Sequence, residues 1–120
     1  VILGGWLTPG THIIAAGANS MNRRELDIAA VKRCSVIVTD AKDQAKLECA
    51  DLALSIETGI WNWDQVLELG QVVIGQAPGR VSTDQITLFE SQGIALEDIA
   101  VAKRIYEQAI AEGIGETLPF

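Results

Sequence analysis

The strongest constraint on the fold is an alternation of short, nearly unbroken apolar runs with helix-like segments. Thr11–Gly17 (THIIAAG) is opened by Pro9-Gly10 and closed by Gly17. Ser35–Thr39 (SVIVT) is a second run, β-branched through its centre, and Ile86–Phe89 (ITLF) is a third, followed by Gly93. Apolar stretches punctuated in this way read as buried strands, and β-branched residues suit a pleated surface. Asp51–Ile56 (DLALSI) reads as a weaker strand. Helix signals lie between these runs. Asn22-Arg-Arg-Glu25 has capping-box logic, and Leu26, Ala29, Ala30 and Arg33 follow at helical spacing, which predicts a helix at 23–34. Asp40 is placed to cap a short polar helix ending at Glu48, Gln65–Ile74 reads as a helix ending at Gly75, and Pro78-Gly79-Arg80 reads as a turn. From Leu96 to Ala111, apolar residues at Leu96, Ile99, Ala102, Tyr106, Ala109 and Ile110 mark an amphipathic helix stopped by Gly113 and Gly115. Buried strands alternating with helices predict an α/β fold with a parallel sheet. In it, strands 12–16, 35–39 and 86–89 lie side by side, with 52–56 a weaker member, and the last helix packs by its Ile99/Ala102/Tyr106 face.

Size and charge narrow the function. The chain has 120 residues, enough for one domain. Hydrophobic residues make up 48% and charged residues 21%, a globular balance. The net charge of −7 disfavours nucleic acid, which needs a basic face. No stretch approaches the ~20 apolar residues of a membrane span, and none reads as a signal peptide. Two cysteines, Cys34 and Cys49, cannot build a disulfide scaffold, so reduced thiols and a cytoplasmic setting are expected. The chain starts at Val1 and its only Met is Met21, so a piece of a longer protein is expected.

In parallel sheets, ligands bind beyond the carboxyl ends of the strands. The candidate site segments are therefore Ala16–Asn22, Thr39–Ala41 and Glu90–Gly93. One His and two distant Cys make no metal constellation. His12, on an apolar strand, reads as a satisfied core histidine, and neither Cys has a visible base nearby. Trp61 and Trp63, flanking Asn62, either cover the sheet edge or form a lid. No GxGxxG occurs; Gly113-Ile-Gly115 lacks the third Gly and follows a helix rather than opening one.

Three ordered segments carry a resemblance: Trp6-Leu-Thr-Pro-Gly-Thr-His-Ile-Ile-Ala-Ala-Gly-Ala-Asn19, Arg24-Glu25-Leu26-Asp27, and Ile86-Thr-Leu-Phe-Glu-Ser-Gln-Gly-Ile-Ala-Leu-Glu-Asp98. Together they resemble the ornithine cyclodeaminase/mu-crystallin family of NAD(P)-binding proteins. The resemblance runs over nearly the whole chain. It implies a partial Rossmann-like parallel sheet with flanking helices. Residues 1–94 would be the second half of the NAD(P)-binding Rossmann domain, and residues 95–120 a helix returning to a substrate and dimerisation domain. The glycine-rich fingerprint and the substrate-binding Arg and Lys would lie upstream of Val1. The chain then supplies one wall of an NAD or NADP site, without the pyrophosphate cradle.

The resemblance also implies roles for single residues. Ile14, Ala15, Ala16 and Gly17 match a strand end beside the nicotinamide, where small residues let a ring approach the backbone. Plain strand packing is the alternative. Asn19 falls where the family's cyclodeaminases carry a catalytic Asp; an amide can hold a substrate nitrogen but cannot exchange a proton near neutral pH. It is equally at home in a tight turn. Arg23 matches a cofactor-facing Lys of some members or is a solvated charge, and Arg24 is similar. Glu25 reads as a cap. Ser91 is placed against the cofactor and Gln92 beside the substrate, unless Ser91 merely caps the last helix. Asp98 belongs to the family pattern or steadies the first turn of that helix.

The expected activity is NAD(P)-dependent chemistry on a small amino acid or cyclic imine. Imine reduction or amine oxidation is favoured over ornithine deamination. A non-catalytic, mu-crystallin-like cofactor and small-ligand binder is the other reading, and an inactive remnant a third. The partner is a homodimer mate or the rest of the same protein, with no nucleic acid and no membrane.

Overall fold

The computed structural model describes residues 1–119. Nine elements follow a 3₁₀ turn at Gly4–Trp6: β1 (His12–Ala15), α1 (Ile28–Arg33), β2 (Val36–Thr39), α2 (Lys42–Glu48), α3 (Ala50–Glu57), β3 (Leu67–Glu68), α4 (Leu69–Val73), β4 (Thr87–Glu90) and α5 (Ala95–Glu112). The strands form one sheet in the order β1-β4-β2-β3, and every pairing is parallel. This bears out the α/β class and the parallel arrangement of the three main strands.

Register sorts the side chains into rows. Ile13, Leu88 and Ile37 align across the sheet, and one step on Ala15, Glu90 and Thr39 align. Both rows are buried. Because a strand has a period of two, the alternate row of Ile14, Phe89 and Val38 faces the other way. The core lies on the first face. Leu26, Ala30, Val31, Ala45, Leu52 and Val66 close over it.

Several expectations fail locally. Residues 52–56 are not a strand but part of α3. DLALSI alternates weakly at period two, yet Leu and Ala are good helix formers, and Asp51, Leu52 and Ser55, which share one side of a helix, are its buried residues. The helix expected at 23–34 shrinks to α1, which begins only at Ile28. Asp27 caps it by accepting from Ala30 N at 2.7 Å, so Asn22 and Glu25 form no capping box. Residues 65–74 divide into the two-residue β3 and α4. The Val38↔Leu67 pairing draws Leu67 onto the sheet, and Glu68 caps α4 with Gln71 at N3. Asp40 does not cap α2, whose N-cap is Ala41 without a side-chain bond. His12 is exposed rather than core, its Nδ1 lying 2.8 Å from Thr87 Oγ1. Trp61 and Trp63 both pack half-buried against the core, and the Trp61 indole donates to Val31 O at 3.2 Å.

The last helix has the expected extent but not the expected packing. No residue of α5 is buried; Leu96, Ile99, Val101, Ile105, Tyr106 and Ile110 are all more than half exposed. Its Ile99/Ala102/Tyr106 face rests on nothing among the described residues. Strand β1 also has a neighbour, β4, on one side only, and an open strand edge is a template for pairing. Expressed alone, the 120-residue chain is therefore expected to self-associate through this helix and edge. Light scattering across a concentration series reads the outcome, and a monodisperse monomer at high concentration would refute it.

Candidate functional site

The carboxyl ends of three strands meet at one rim of the sheet. Ser91, just past β4, donates its backbone N–H to Ala15 O at 2.9 Å, tying the β1 and β4 exits together. Asp40, just past β2, reaches the same place. Its Oδ2 accepts from Ser91 Oγ at 2.9 Å and Gly93 N at 2.8 Å. Its Oδ1 accepts from Ala41 N at 2.8 Å and Thr39 Oγ1 at 3.2 Å. Four donors on one nearly buried carboxylate lock the three strand exits. Gly93 sits in the left-handed region, at φ 78°, which lets its N–H turn back to Asp40.

A second acid shapes the β1 exit. Glu25 Oε2 accepts from Gly17 N at 2.7 Å and Ala18 N at 3.1 Å. A Cβ on residue 17 would stand 2.8 Å from Glu25 Oε1, so any larger residue there would push the Glu25 carboxylate out of this position. Asp51 in turn accepts from Glu25 N at 3.0 Å and Leu26 N at 3.1 Å. The reading of Glu25 as a helix cap is thus replaced by a loop-holding role: its carboxylate is taken up by the turn after β1.

Beneath this rim lies a buried polar group. Glu90 is 1% exposed. Its Oε2 accepts weakly from the Cys49 thiol at 3.5 Å, while Oε1 has no partner. Both amide atoms of the buried Gln92 are also unpartnered. Burial pushes the Glu90 carboxyl up to about 8, and the neighbouring Asp51 charge adds to the shift. Burial also pushes the Cys34 thiol up to about 12 and the Cys49 thiol up as well. Neither is a thiolate nucleophile near neutral pH.

The residues singled out from sequence divide into four groups. Ala16, Gly17 and Asn19 lie exposed along the β1 exit, with the half-buried Ser91 joined to that exit through Ala15. Ala15 and Gln92 lie at the same rim with buried side chains, so only their backbones face outward there. Ile14 is 65% exposed but belongs to the opposite row of the sheet, away from Ala15. Arg23 is exposed on the following loop, and its guanidinium makes no hydrogen bond among the described residues. Two residues lie within the expected site segments but take roles that the sequence does not show. Asp40 was read as a helix cap, and its partners Ser91 and Gly93 lie 51 and 53 positions away. Glu90 falls in the expected segment Glu90–Gly93, and counting by two from Ile86 and Leu88 places its side chain on the buried face.

Among the described residues, no group of three or more His, Cys, Asp or Glu could hold a metal ion. Among the same residues, no helix is long and apolar enough to cross a membrane.

Comparison with known proteins gives a consistent result. The sequence profile of the ornithine cyclodeaminase/mu-crystallin family matches residues 1–113. A Delta(1)-pyrroline-2-carboxylate reductase of Bacillus cereus is 37% identical over 115 residues, spanning 95% of this chain and 35% of that protein. The Thermococcus litoralis Delta(1)-pyrroline-2-carboxylate reductase, solved with NADH and L-proline, superposes with a TM-score of 0.88 at 35% identity. That match covers 98% of this chain and 36% of the other. An archaeal alanine dehydrogenase dimer with bound NAD gives a TM-score of 0.83 at 36% identity, covering 100% of this chain and 37% of its own. The chain thus spans little more than a third of the length of these relatives.

Proposed function

The chain belongs to the ornithine cyclodeaminase/mu-crystallin family, and on that premise we propose that it forms one wall of a nicotinamide-cofactor site. The site would serve a protein that reduces cyclic imines or oxidises the corresponding amino acids. The observation that carries this reading is the joined rim at the carboxyl ends of β1 and β4. There the small, exposed Ala16 and Gly17 stand beside Ser91, whose backbone is tied to Ala15. This rim lies where an open α/β sheet receives its ligand.

The residues present fit one face of NAD or NADP. The small, exposed residues Ala16 and Gly17 leave the β1 exit open to a flat ring, and the Ser91 hydroxyl offers a polar contact. When bound, the nicotinamide supplies hydride transfer. The chain's own residues orient and enclose: Ala16, Gly17 and Ser91 contact the ring, Asn19 holds the substrate nitrogen by hydrogen bonding, and the Gln92 backbone borders the substrate. Arg23 faces the cofactor across the loop. No glycine-rich fingerprint occurs in the chain, so the pyrophosphate is held by another part of the protein.

Two features support the domain assignment. Residues 1–94 contain the whole four-stranded sheet, and the exposed α5 within residues 95–120 suits a helix that docks on a separate substrate and dimerisation domain. Assembly as a homodimer is supported by the dimeric alanine dehydrogenase neighbour. A cytoplasmic setting is supported by two buried, unpaired thiols. The relatives that act on Delta(1)-pyrroline-2-carboxylate favour a small cyclic imine as substrate.

The test mixes the intact protein with Delta(1)-pyrroline-2-carboxylate and NADH or NADPH and follows loss of reduced nicotinamide. Turnover with either cofactor is expected. Tight cofactor binding without turnover across a panel of imines and amino acids would overturn the enzymatic reading in favour of a binding protein.

A further inference from the structure

The hydrogen bonds around Ser91 fix not only its place but its polarity. A serine hydroxyl has one proton and two lone pairs. The Ser91 proton is committed to Asp40 Oδ2 at 2.9 Å, and its backbone N–H is committed to Ala15 O at 2.9 Å. The carboxylate cannot reverse the bond, because an ionised carboxylate only accepts. It is also held in place: Gly93 N donates to the same oxygen, while Ala41 N and Thr39 Oγ1 donate to the other. Asp40 is 9% exposed, so water does not compete freely for it. What Ser91 has left to offer a ligand is lone pairs alone.

We propose that Asp40 is a positioning residue that fixes Ser91 as a hydrogen-bond acceptor, so that this rim selects a ring substituent carrying an N–H donor. A primary carboxamide has such a donor in its NH₂ group; a ketone or carboxylate of the same shape does not. The inference rests on the reading of Ser91 as a contact to the nicotinamide ring. It adds which end of the carboxamide Ser91 meets, and it makes Asp40, which has no route to the ligand of its own, the cause of that choice.

The experiment measures equilibrium binding, by protein fluorescence quenching on the intact protein, of NADH and of its reduced 3-acetylpyridine analogue. The analogue keeps the ring and the carbonyl and replaces NH₂ by methyl. Unmodified protein is expected to prefer the carboxamide by roughly 3- to 10-fold, the worth of one hydrogen bond. In Ser91→Ala that preference should fall towards unity, and Ser91→Thr should restore it. In Asp40→Asn the amide group can donate to Ser91, releasing the hydroxyl proton outward, and the preference should again be lost. A merely structural role for Asp40 would weaken both ligands alike and leave the ratio untouched.

The failures are separable. If Ser91→Ala leaves both affinities, or a preference for the carboxamide, unchanged, Ser91 does not meet the ring substituent and the reading of the site falls. If Ser91→Ala abolishes the preference but Asp40→Asn retains it, the site reading stands and the role of Asp40 is wrong. If unmodified protein binds both ligands equally and Ser91→Ala weakens both alike, Ser91 donates to the carbonyl that the two share, which overturns the proposal without any Asp40 variant having to fold.

Discussion

Glu90→Gln is expected to stabilise the protein at alkaline pH and to flatten its stability between about pH 5 and pH 8. Glu90 ends β4 in register between Ala15 and Thr39, on the face covered by the core. Its carboxyl is 1% exposed, with one oxygen unpartnered and the other held only by a thiol at 3.5 Å. Charge in such a place is costly unless it is paired, and the charge that acts on it most, Asp51, is itself acidic. The group is therefore raised from the ordinary value of 4.5 to about 8 in the folded chain. In the unfolded chain it ionises near the ordinary value. Stability from keeping this carboxyl neutral is full below the unfolded value, falls as pH rises through the interval, and is gone above the folded one. At about 1.4 kcal/mol per unit of difference, and allowing for relaxation and water entry, the loss across the interval is on the order of 3 kcal/mol. Glutamine has nearly the same shape, carries no proton to lose and still accepts from Cys49. Denaturant unfolding of the intact protein and the variant at about pH 5 and about pH 8.5 checks this. Equal stability of the unmodified protein at both pH values would show that Glu90 is not held neutral.

This buried acid also marks where the sequence is easy to read and where it is not. The central strands were legible because each is apolar, β-branched or bounded by glycine, although only one face of the sheet carries the core. The final helix was legible for a similar reason, since a sustained 3.6-residue period survives whether or not its partner is present. Its packing was not legible, because the face formed by Ile99, Ala102 and Tyr106 meets nothing in this chain. Short elements were the weak point. DLALSI fits a strand and a helix about equally over six positions, and only the burial of Leu52 and Ser55 decides it. The two-residue β3 exists through pairing with Val38 and Thr39, a relation between distant segments. The site divides along the same line. The rule that ligands lie beyond strand ends found Ala16–Gly17 and Ser91. The acids that hold those loops, Asp40 and Glu25, are paired across the fold or across a turn, and both looked locally like helix caps. A carboxylate beside a helix start has two uses, and only the fold chooses between them.

Asn19→Asp in the intact protein is expected to raise conversion of ornithine to proline, by ~10²-fold if the introduced acid is well placed. Asn19 lies exposed on the loop between β1 and α1, and its amide makes no hydrogen bond among the described residues. Exchanging amide for carboxyl therefore breaks no side-chain hydrogen bond among the described residues, and a change in rate that leaves the unfolding midpoint unmoved reports chemistry rather than folding. Loss of ammonia during cyclodeamination needs a group that moves a proton to the departing nitrogen. An amide hydrogen-bonds that nitrogen but has no proton to exchange near neutral pH, whereas a carboxyl does. Imine reduction makes a smaller demand: once the substrate is oriented, its protonation can come from water. The two activities should consequently separate in the variant, with ornithine conversion rising from a low level while reduction of Delta(1)-pyrroline-2-carboxylate stays the same or declines. Glu25 does not replace the missing acid, because its carboxylate is engaged by the N–H groups of Gly17 and Ala18. Parallel assays of proline formation from ornithine and of cofactor-dependent imine reduction give the answer. Efficient ornithine conversion by the unmodified protein, with no gain in Asn19→Asp, would show that proton transfer at this position does not limit the reaction.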